Sequence, residues 1–272
     1  MTLRPRLGPD EIAKSHALGN DYLVVDPKTL SRPLTPERIR EICHRNFGAG
    51  SDGILTLEKG QDADFGLRIL NPDGSEAEKS GNGLRIFCRF LFDHGYTSKK
   101  EFTVSTLGGK VTAKLDVQGE EVRSITVDMG KAEIGPEEDL EAGGRRFRGS
   151  AVSVGNPHFV IVDPKLTRDD LLAYGARIEN HPRFLNRTNL QFVTVVDRHT
   201  IRLLIWERGA GETLASGSSS CAAAAACLKR GLVESPVRAL MPGGELGLVF
   251  LPDGMIRMTG PATPVYVGRL LL

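Results

Sequence analysis

Short runs of β-branched and other apolar residues recur along most of this chain, and Gly, Pro, Asn or Asp borders most of them. Nine of these runs predict strands: YLVVD, GILTLE, FGLRILN, FTVST, KVTAKLD, RSITVDM, HFVIVD, LQFVTVVD and IRLLIWE. The segments STLGGKV, LMPGGELGL and FLPDGMIRM contain Gly-Gly or Asp-Gly, which favour the tight turns of β-hairpins. The pattern therefore predicts a chain built mainly from short strands, several of them joined by hairpins.

Helical patterns are fewer than strand patterns. TPERIREICHRNF begins with Thr35 as an N-cap and Pro36 at the first helical position, and RDDLLAYGARIENH is a second candidate. A third helix is predicted after Ser80, and it is apolar almost all round, which indicates a buried helix. Its apolar residues are Leu84, Ile86, Phe87, Cys88, Phe90 and Leu91. The fourth helix, after Ser216, is nearly pure alanine and is predicted to stop at Gly231.

The last two helices begin in the same way. Glu76 is followed four residues later by Ser80 and a glycine, and Glu212 is followed in the same manner by Ser216 and a glycine. Two blocks of short strands, each around one central helix, predict an internal repeat of a whole domain. A chance resemblance between two helix starts is the alternative, but it leaves the shared glutamate and the scarcity of other long helices unexplained.

Length and charge narrow the class of protein. The chain has 272 residues, 25% of them charged, and a formal net charge of +1, which gives no basic surface for nucleic acid or an anionic membrane. The four cysteines lack C-x-x-C spacing, so a zinc ribbon is not indicated. The first residues lack the apolar core of a signal peptide, and the run CAAAAACL is too short to span a bilayer. We therefore expect a reduced, cytoplasmic protein.

The two matching helix starts are suited to binding an anion. The first N–H groups of a helix have no partner within it, and the helix dipole places partial positive charge there. Little side-chain bulk separates these groups from a ligand at Gly81-Asn82-Gly83 and at Gly217-Ser218-Ser219. If a pseudo-twofold axis brings both ends to one cleft, Ser80 and Ser216 face each other across the ligand. That geometry suits proton transfer on the two faces of one carbon.

Polar clusters at predicted strand ends suggest the kind of ligand. Asparagine occurs in four of five such clusters, which are HALGND, ILNPDGSE, GNPHF, NRTN and WERGAGE. An asparagine side chain offers a donor and an acceptor together, which suits a zwitterionic amino acid. The alternative for each single asparagine is an Asx turn that serves only the backbone. For the set as a whole, with Glu207, Arg208 and His158 among it, the sequence predicts a ligand site.

These residues resemble the diaminopimelate epimerase family, whose members are amino-acid racemases that work without pyridoxal phosphate. The matching stretches include HALGNDYLVVD, RNFGAGSDGIL, LNPDGSEAEKSGNGLRIFCRF, GNPHFVIV, FLNRTNLQFV, WERGAGETLASGSSSCAAAA and MTGPATPVYVG. The resemblance implies an α+β fold of two pseudo-symmetric lobes, each a curled, mostly antiparallel sheet around a central helix, with the active site in the cleft between them. We expect an N-terminal lobe at 1–128, to which the last strand, 264–272, returns, and a C-terminal lobe at 129–263.

The resemblance also implies an activity and a set of site residues. The activity is the conversion of LL- to meso-diaminopimelate in lysine and peptidoglycan biosynthesis, by a homodimer with no metal and no organic cofactor. Ligand-holding positions of the family fall on Asn20, Asn71, Gly81, Asn82, Asn156, Asn189, Glu207, Arg208, Gly217 and Ser218. His158 and Glu207 match residues that support two catalytic thiols. The positions of those thiols are Ser80 and Ser216 here, which completes a catalytic set of Ser80, Ser216, His158 and Glu207.

Serine at both thiol positions changes the expected chemistry. A thiol has a pKa of about 8.5 and can be activated by a helix N-terminus and a base, whereas a hydroxyl is a much weaker acid. Racemisation by two thiols is therefore expected to be impaired. Cys88 and Cys221 lie a turn or more inside their helices, so we expect them to be small buried hydrophobes that do not replace the missing thiols.

Three explanations of the serines stay open. The first is an engineered thiol-to-hydroxyl variant, although Lys79 and Ser219 also depart from the family pattern. The second is a natural branch that isomerises or eliminates another carboxylate substrate, with bases drawn from Lys79, His158 and Glu207. The third is a protein that binds an amino acid or dicarboxylate without turnover.

Overall fold

The computed structural model describes residues 4–271, and the chain forms two compact units. Unit 1 comprises the residues up to Val127 together with those from Gly260 onward, and unit 2 comprises Asp128–Thr259. Unit 1 is therefore discontinuous in sequence, and unit 2 is a continuous segment inserted into it.

The elements of unit 1 are mostly short strands, with two helices among them. In chain order they are β1 (Glu11–Ala17), β2 (Asn20–Val25), α1 (Pro36–Cys43), β3 (Ile54–Glu58), β4 (Phe65–Leu70), β5 (Glu76–Ala77), α2 (Gly81–Asp93), β6 (Glu101–Thr106), β7 (Gly109–Gln118) and β8 (Glu121–Lys131), with a 3-10 turn at Pro27–Thr29. Strand β8 runs across the boundary into unit 2.

Unit 2 has the same composition of elements. They are β9 (Glu133–Ala142), β10 (Arg145–Ser153), β11 (Pro157–Val162), α3 (Arg168–Glu179), β12 (Asn189–Asp197), β13 (Thr200–Glu207), β14 (Gly211–Thr213), α4 (Gly217–Lys229), β15 (Val237–Met241), β16 (Gly244–Phe250) and β17 (Met255–Gly260). The last strand, β18 (Thr263–Arg269), belongs to unit 1.

Strand pairing follows one plan in both units. In unit 1, β2 pairs parallel with β3 and β4 parallel with β6, while β1–β2, β3–β4, β4–β5 and β6–β7 are antiparallel. In unit 2, β11–β12 and β13–β15 are parallel, while β10–β11, β12–β13, β13–β14 and β15–β16 are antiparallel. The elements from β1 to β8 thus correspond one for one to those from β10 to β17, which is the predicted internal repeat.

The two central helices are alike in length, start and stop. Each has 13 residues, with Ser80 as the N-cap of α2 and Ser216 as the N-cap of α4. Each ends at a glycine in the left-handed region, Gly95 at φ 66° and Gly231 at φ 67°. The N–H groups after each helix bond back to its last turn, Tyr96 to Leu91 and Leu232 to Cys227, as in a Schellman motif. The predicted stop at Gly231 is confirmed.

Both helices are buried by the sheet strands that surround them. The six apolar residues predicted to bury α2 are all at most 3% exposed, and so is the alanine run of α4. Alanine lets strands approach the backbone of α4 closely, whereas α2 fills its surroundings with larger side chains. All four cysteines are buried, and none forms a disulfide in the described part of the chain. Burial raises the pKa of the Cys227 thiol to about 11 and raises that of Cys88 as well.

The predicted α+β fold is confirmed, and each of the nine predicted strand runs lies in a strand of the structure. The three predicted hairpins are also present, as β6–β7, β15–β16 and β16–β17. Helix α1 is shorter than TPERIREICHRNF suggested, because the chain turns away at His44. The His44 Nδ1 accepts hydrogen bonds from the backbone N–H groups of Asn46 and Phe47, which stabilises that turn.

Candidate active site

Ser80 begins the first central helix and uses its side chain as the cap. Its Oγ accepts a hydrogen bond from the Gly83 N–H at 3.0 Å, and the Tyr22 hydroxyl lies 3.5 Å from the same oxygen. The backbone of Ser80 is extended, with φ −136° and ψ 118°. Tyr22 is buried and did not figure in the sequence prediction, because it reads as one apolar residue in the run YLVVD.

Ser216 repeats this geometry at the second central helix. Its φ of −142° and ψ of 126° are close to the values of Ser80, and its Oγ accepts from the Ser219 N–H at 3.4 Å. An oxygen or sulfur at an N-cap receives an N–H bond and lies at the positive end of the helix dipole, so negative charge is favoured there. Capping alone accounts for a serine at each position, and the proton-transfer role of the two hydroxyls remains a prediction.

Asn20 and Asn82 belong to one directed chain of hydrogen bonds in unit 1. The fully buried Arg85 donates to Asn82 Oδ1 at 3.0 Å, Asn82 Nδ2 donates to Asn20 Oδ1 at 3.1 Å, and Asn20 Nδ2 donates to Asp52 Oδ2 at 2.8 Å. A guanidinium can only donate and a carboxylate can only accept, so the direction of every bond is determined. Arg45 in turn contacts Asp52 at 2.5 Å. The structure thus brings the predicted residues Asn20 and Asn82 together and adds Asp52 and Arg85 to them.

Asn71 is oriented in a similar manner by its own loop. Ser75 Oγ donates to Asp73 Oδ1 at 2.6 Å, which leaves the Ser75 oxygen to accept from Asn71 Nδ2 at 2.9 Å. The backbone N–H of Asn71 also bonds to the Ser75 carbonyl. The Asx turn of this loop belongs to Asp73, whose Oδ1 accepts from the Ser75 N–H at 2.9 Å, and Asn71 itself is half-buried.

Asn189 connects two loops of unit 2. Its Nδ2 donates to the Pro157 carbonyl at 2.7 Å, and its Oδ1 accepts from the Arg208 N–H at 3.0 Å. The Arg208 guanidinium extends to the Asn186 carbonyl at 3.0 Å and is exposed. Glu207 is half-buried and accepts from the Thr213 hydroxyl at 3.0 Å. Asn189, Glu207 and Arg208 are therefore neighbours, as the clusters at the strand ends indicated.

His158 is buried beneath Asn156. Its Nε2 lies 2.9 Å from Asn156 Oδ1, and its Nδ1 lies 3.1 Å from the Gln191 side-chain nitrogen. Burial lowers the pKa of His158 to about 3 although the Gln191 hydrogen bond opposes the shift, and the charge of Arg208 lowers it further. A neutral imidazole with one donor and one acceptor fits these partners, with Nε2 donating and Nδ1 accepting. The arrangement orients Asn156, and a base this weak is poorly suited to removing a proton from carbon.

Gln191 extends this network to the start of α4. It is fully buried, and its Nε2 also donates to Ser219 Oγ at 3.0 Å, while the Ser219 N–H bonds to Ser216 Oγ. Its Oε1 has no hydrogen-bond partner among the described residues. Gln191 is not among the residues predicted from the sequence, where its one signal is a single amide within the apolar run LQFVTVVD.

The remaining predicted positions lie at the same helix ends. Gly81 and Gly217 are the first residues of α2 and α4 and are buried, and Ser218 is half-buried beside Gly217. Lys79 precedes Ser80 and is half-buried. No group of three or more His, Cys, Asp or Glu residues in the described chain is placed to hold a metal ion. Within residues 4–271, no helix has the length and apolar character needed to cross a membrane.

The chain is similar to known proteins in both sequence and fold. The diaminopimelate epimerase family model matches residues 12–135 and 150–265. The chain is 47% identical to diaminopimelate epimerase 2 of a Nostoc species over 94% of each chain, and 42% identical to diaminopimelate epimerase of Nitrosospira multiformis over 96% of this chain and 98% of that one. In fold it is similar to a hydroxyproline epimerase from Agrobacterium vitis, with a TM-score of 0.73 at 15% identity over 96% and 90% of the two chains.

The coverage is nearly complete on both sides, and the matched residues include both serine-capped helices. The similarity in fold extends to an epimerase at an identity too low to show more than the architecture. These matches confirm the family and the isomerase class that the motifs indicated, and the chain belongs to the diaminopimelate epimerase family.

Proposed function

We propose that this chain moves a proton at the α-carbon of diaminopimelate, interconverting the LL and meso forms without a cofactor. The observation that carries the proposal is the pair of serine-capped helices, which have matching dihedral angles and a glycine as the first helical residue. The hydroxyl at position 80 or 216 takes the α-proton from one face of the carbon and passes its own proton to a second group that acts as the base. The other hydroxyl delivers a proton to the opposite face, which inverts the centre.

The proposed ligand contacts follow from the oriented amides. Asn20 has its oxygen occupied by Asn82 and one N–H by Asp52, so its second N–H is the group left for a ligand. Asn189 has one N–H bonded to Pro157 and its oxygen bonded to Arg208. Amide donors of this kind and the Arg208 guanidinium are suited to ligand carboxylates. The Glu207 carboxylate is suited to an ammonium group of the ligand. Gly81, Asn82, Gly217 and Ser218 would supply helix-end N–H groups.

The hydroxyls limit the rate in this proposal. A thiol at an N-cap can be held as thiolate, whereas a hydroxyl in the same place keeps its proton at neutral pH. The remaining candidate bases are Glu207 and, once its ammonium has lost a proton, Lys79, while the neutral, buried His158 is better suited to orienting Asn156. We therefore expect the parent protein to bind diaminopimelate and to turn it over slowly.

Solvent-deuterium incorporation into LL-diaminopimelate tests the proposal. The Ser80→Cys/Ser216→Cys variant should exchange the α-proton about 100-fold faster than the parent, which is the usual scale of general acid–base catalysis. Each single restoration should help little, because the two groups act as a unit. Ser124→Cys, which adds a thiol on β8, is the matched control and should leave the rate unchanged.

Three results would point elsewhere. A parent as fast as the double cysteine variant would show that hydroxyls suffice. A double variant that binds diaminopimelate in calorimetry but exchanges it no faster than the parent would indicate another reaction of the same fold, and loss of the parent's slow exchange in Lys79→Ala would then identify Lys79 as its base. If the parent binds diaminopimelate but neither it nor any variant exchanges the α-proton, the protein binds carboxylates without turnover.

We also propose a cytoplasmic homodimer that acts in lysine and peptidoglycan biosynthesis. The dimer is supported by β18, whose Val265 is 55% exposed and whose Val267 is 41% exposed on the same face of the strand. Light scattering of the parent should give twice the mass of the chain. Val265→Asp/Val267→Asp should give the monomer mass, and a monomeric parent would contradict the proposal.

A further inference from the structure

Glu179 is a buried carboxylate at the last position of α3, and it receives three hydrogen bonds. Its side chain accepts from Trp206 Nε1 at 2.8 Å, from Arg187 Nη1 at 2.9 Å and from the Gly209 N–H at 2.9 Å. The residue is only 5% exposed. Burying a carboxylate is unfavourable unless several donors compensate it, so these three bonds determine the local arrangement strongly.

Two of the three donors, Arg187 and Gly209, come from the loops that carry the ligand residues of unit 2. Arg187 lies in the loop that ends at Asn189, and Gly209 follows Glu207 and Arg208 directly. Both donors have left-handed backbones, with φ 58° at Arg187 and φ 80° at Gly209. That conformation is unfavourable for a residue with a side chain, so Arg187 needs its surroundings to hold it there.

The carboxylate is itself held by a rigid support. A Cβ on Gly175 would lie 2.4 Å from the Trp206 ring, so α3 packs with its backbone directly against the indole. Leu171 and Ile178 of the same helix are fully buried, and the Thr188 N–H bonds to the Glu179 carbonyl at 3.2 Å. The Glu179 carboxylate is therefore held in a defined position, where it accepts hydrogen bonds from both loops.

We propose that Glu179 is a positioning residue, which sets the placement of Asn189 and Arg208 by holding the loops at 186–189 and 207–211 through one carboxylate. The proposal rests on the proposed function only in naming diaminopimelate as the ligand. Without the carboxylate, Arg187 and Gly209 lose the acceptor that they share. The loops that carry Asn189 and Arg208 are then no longer bonded to one group. Glu179 acts through the placement of Asn189 and Arg208, which are ligand-holding positions in the proposed function, so we expect its loss to weaken binding.

Glu179→Gln tests the loop arrangement without any substrate. The amide keeps the shape of the side chain, but its NH2 group meets donors where the carboxylate accepted. We expect faster amide hydrogen–deuterium exchange at 186–189 and 207–211, and stronger acrylamide quenching of Trp206, the single tryptophan of the chain. Glu137→Gln is the matched control, because Glu137 of β9 pairs at 3.2 Å with Arg230 at the end of α4, outside both loops, and it should change neither.

Kinetics separate positioning from a loss of folded protein. In the Ser80→Cys/Ser216→Cys background, Glu179→Gln should raise KM by about tenfold and change kcat by less than about threefold. Partial unfolding would lower kcat and leave KM unchanged, and that result would overturn the proposal, as would unchanged exchange in both loops. If no variant binds or exchanges diaminopimelate, the proposed function fails, while the exchange and quenching measurements still decide the role of Glu179.

A second variant covers the case in which Glu179→Gln does not fold. Arg187→Ala removes one donor and leaves the Trp206 and Gly209 bonds to Glu179 in place. Exchange should then rise at 186–189 and stay unchanged at 207–211. Equal protection of both loops in Arg187→Ala and the parent would show that the carboxylate does not hold the first loop.

Discussion

The amide of Asn20 has one orientation because its neighbour Asp52 can only accept hydrogen bonds and Arg85, two steps away, can only donate them. Asp52→Ala removes the acceptor, so the Asn20 amide can rotate and present its oxygen where an N–H was offered. We expect affinity for diaminopimelate to fall about tenfold, the scale of one charge-assisted hydrogen bond. Titration calorimetry measures this.

Asp64→Ala is a suitable comparison for that change. Asp64 also accepts from a backbone N–H and a lysine, at Thr103 and Lys99, but far from Asn20 in the chain. It should leave ligand affinity unaltered. Equal affinity of Asp52→Ala and the parent would show that the orientation of Asn20 is held by other contacts.

His158 makes stability depend on pH in a predictable direction. Its pKa of about 3 in the folded protein lies below the value of about 6.5 expected in the unfolded chain. The unfolded state therefore binds the proton first as pH falls, and stability is lost between pH 6.5 and 3. At pH 5 the loss from this residue is about 2 kcal/mol relative to neutral pH.

Urea unfolding at pH 7 and pH 5 checks this value. His158→Gln keeps a neutral donor and acceptor, so its stability should change less between the two pH values than that of the parent, by about 2 kcal/mol. An identical pH dependence of parent and variant would mean that His158 has the same pKa in the folded and the unfolded protein.

The sequence did not predict the polar contacts that join site residues to partners far away in the chain. Asn20 and Asn189 were predicted from local clusters, but Asp52, which accepts from Asn20, and Glu179, which accepts from the loop residue Arg187, were not. Asp52 is 32 residues from Asn20, and Glu179 is 27 residues from Trp206. Periodicity reports which face of an element is apolar, and it carries no information about which distant polar groups meet.

In helix α3, close packing against Trp206 is expected to outweigh the preference of helices for alanine over glycine. Alanine normally stabilises a helix by up to about 1 kcal/mol relative to glycine. At Gly175 the added methyl would lie 2.4 Å from the Trp206 ring, so helix and indole must move apart. We expect Gly175→Ala to lower the free energy of unfolding by about 1–3 kcal/mol.

Guanidinium unfolding, followed by the fluorescence of Trp206, measures the effect of Gly175→Ala. Ala176→Gly on the exposed side of α3 provides the ordinary propensity effect and should lose about 1 kcal/mol. A stabilised Gly175→Ala variant would show that α3 shifts without resistance.

Strands β9 and β10 were not predicted from the sequence pattern, because their pairing depends on charge more than on apolar alternation. Strand β9, EIGPEEDLEA, contains a proline and five acidic residues, and its alternation of apolar and polar residues is weak. It pairs with β10, RRFRGSAVS, and the charges face each other across the pair, with Arg146 near Asp139 and Arg148 near Glu137. Complementary charge between neighbouring strands supports this pairing, and a scan of one segment at a time cannot detect it.

For the whole molecule, the discontinuity of unit 1 has a measurable effect. Strand β18 pairs with β1, and the segment just before it supplies the Pro261 and Ala262 carbonyls that accept from Arg85 and Arg89. Removal of residues 260–272 takes an acceptor from a fully buried guanidinium and leaves β1 without that partner. We expect amide exchange in β1 and α2 to approach the unfolded rate, while α4 stays protected. Protection of β1 equal to that in the full chain would contradict this dependence.

The pairing of β9 with β10 and of β18 with β1 is the arrangement that a duplication with exchange of the last strand would leave. Each half of the sequence, β1–β9 and β10–β18, is a nine-strand copy, and the ninth strand of each copy completes the other copy's unit. A single ancestral copy that traded its last strand with a second molecule would have been a swapped dimer, and fusion of two genes would have made the trade permanent. Neither half of the present gene then encodes a self-sufficient unit, so two separately expressed halves should fold only when they are mixed.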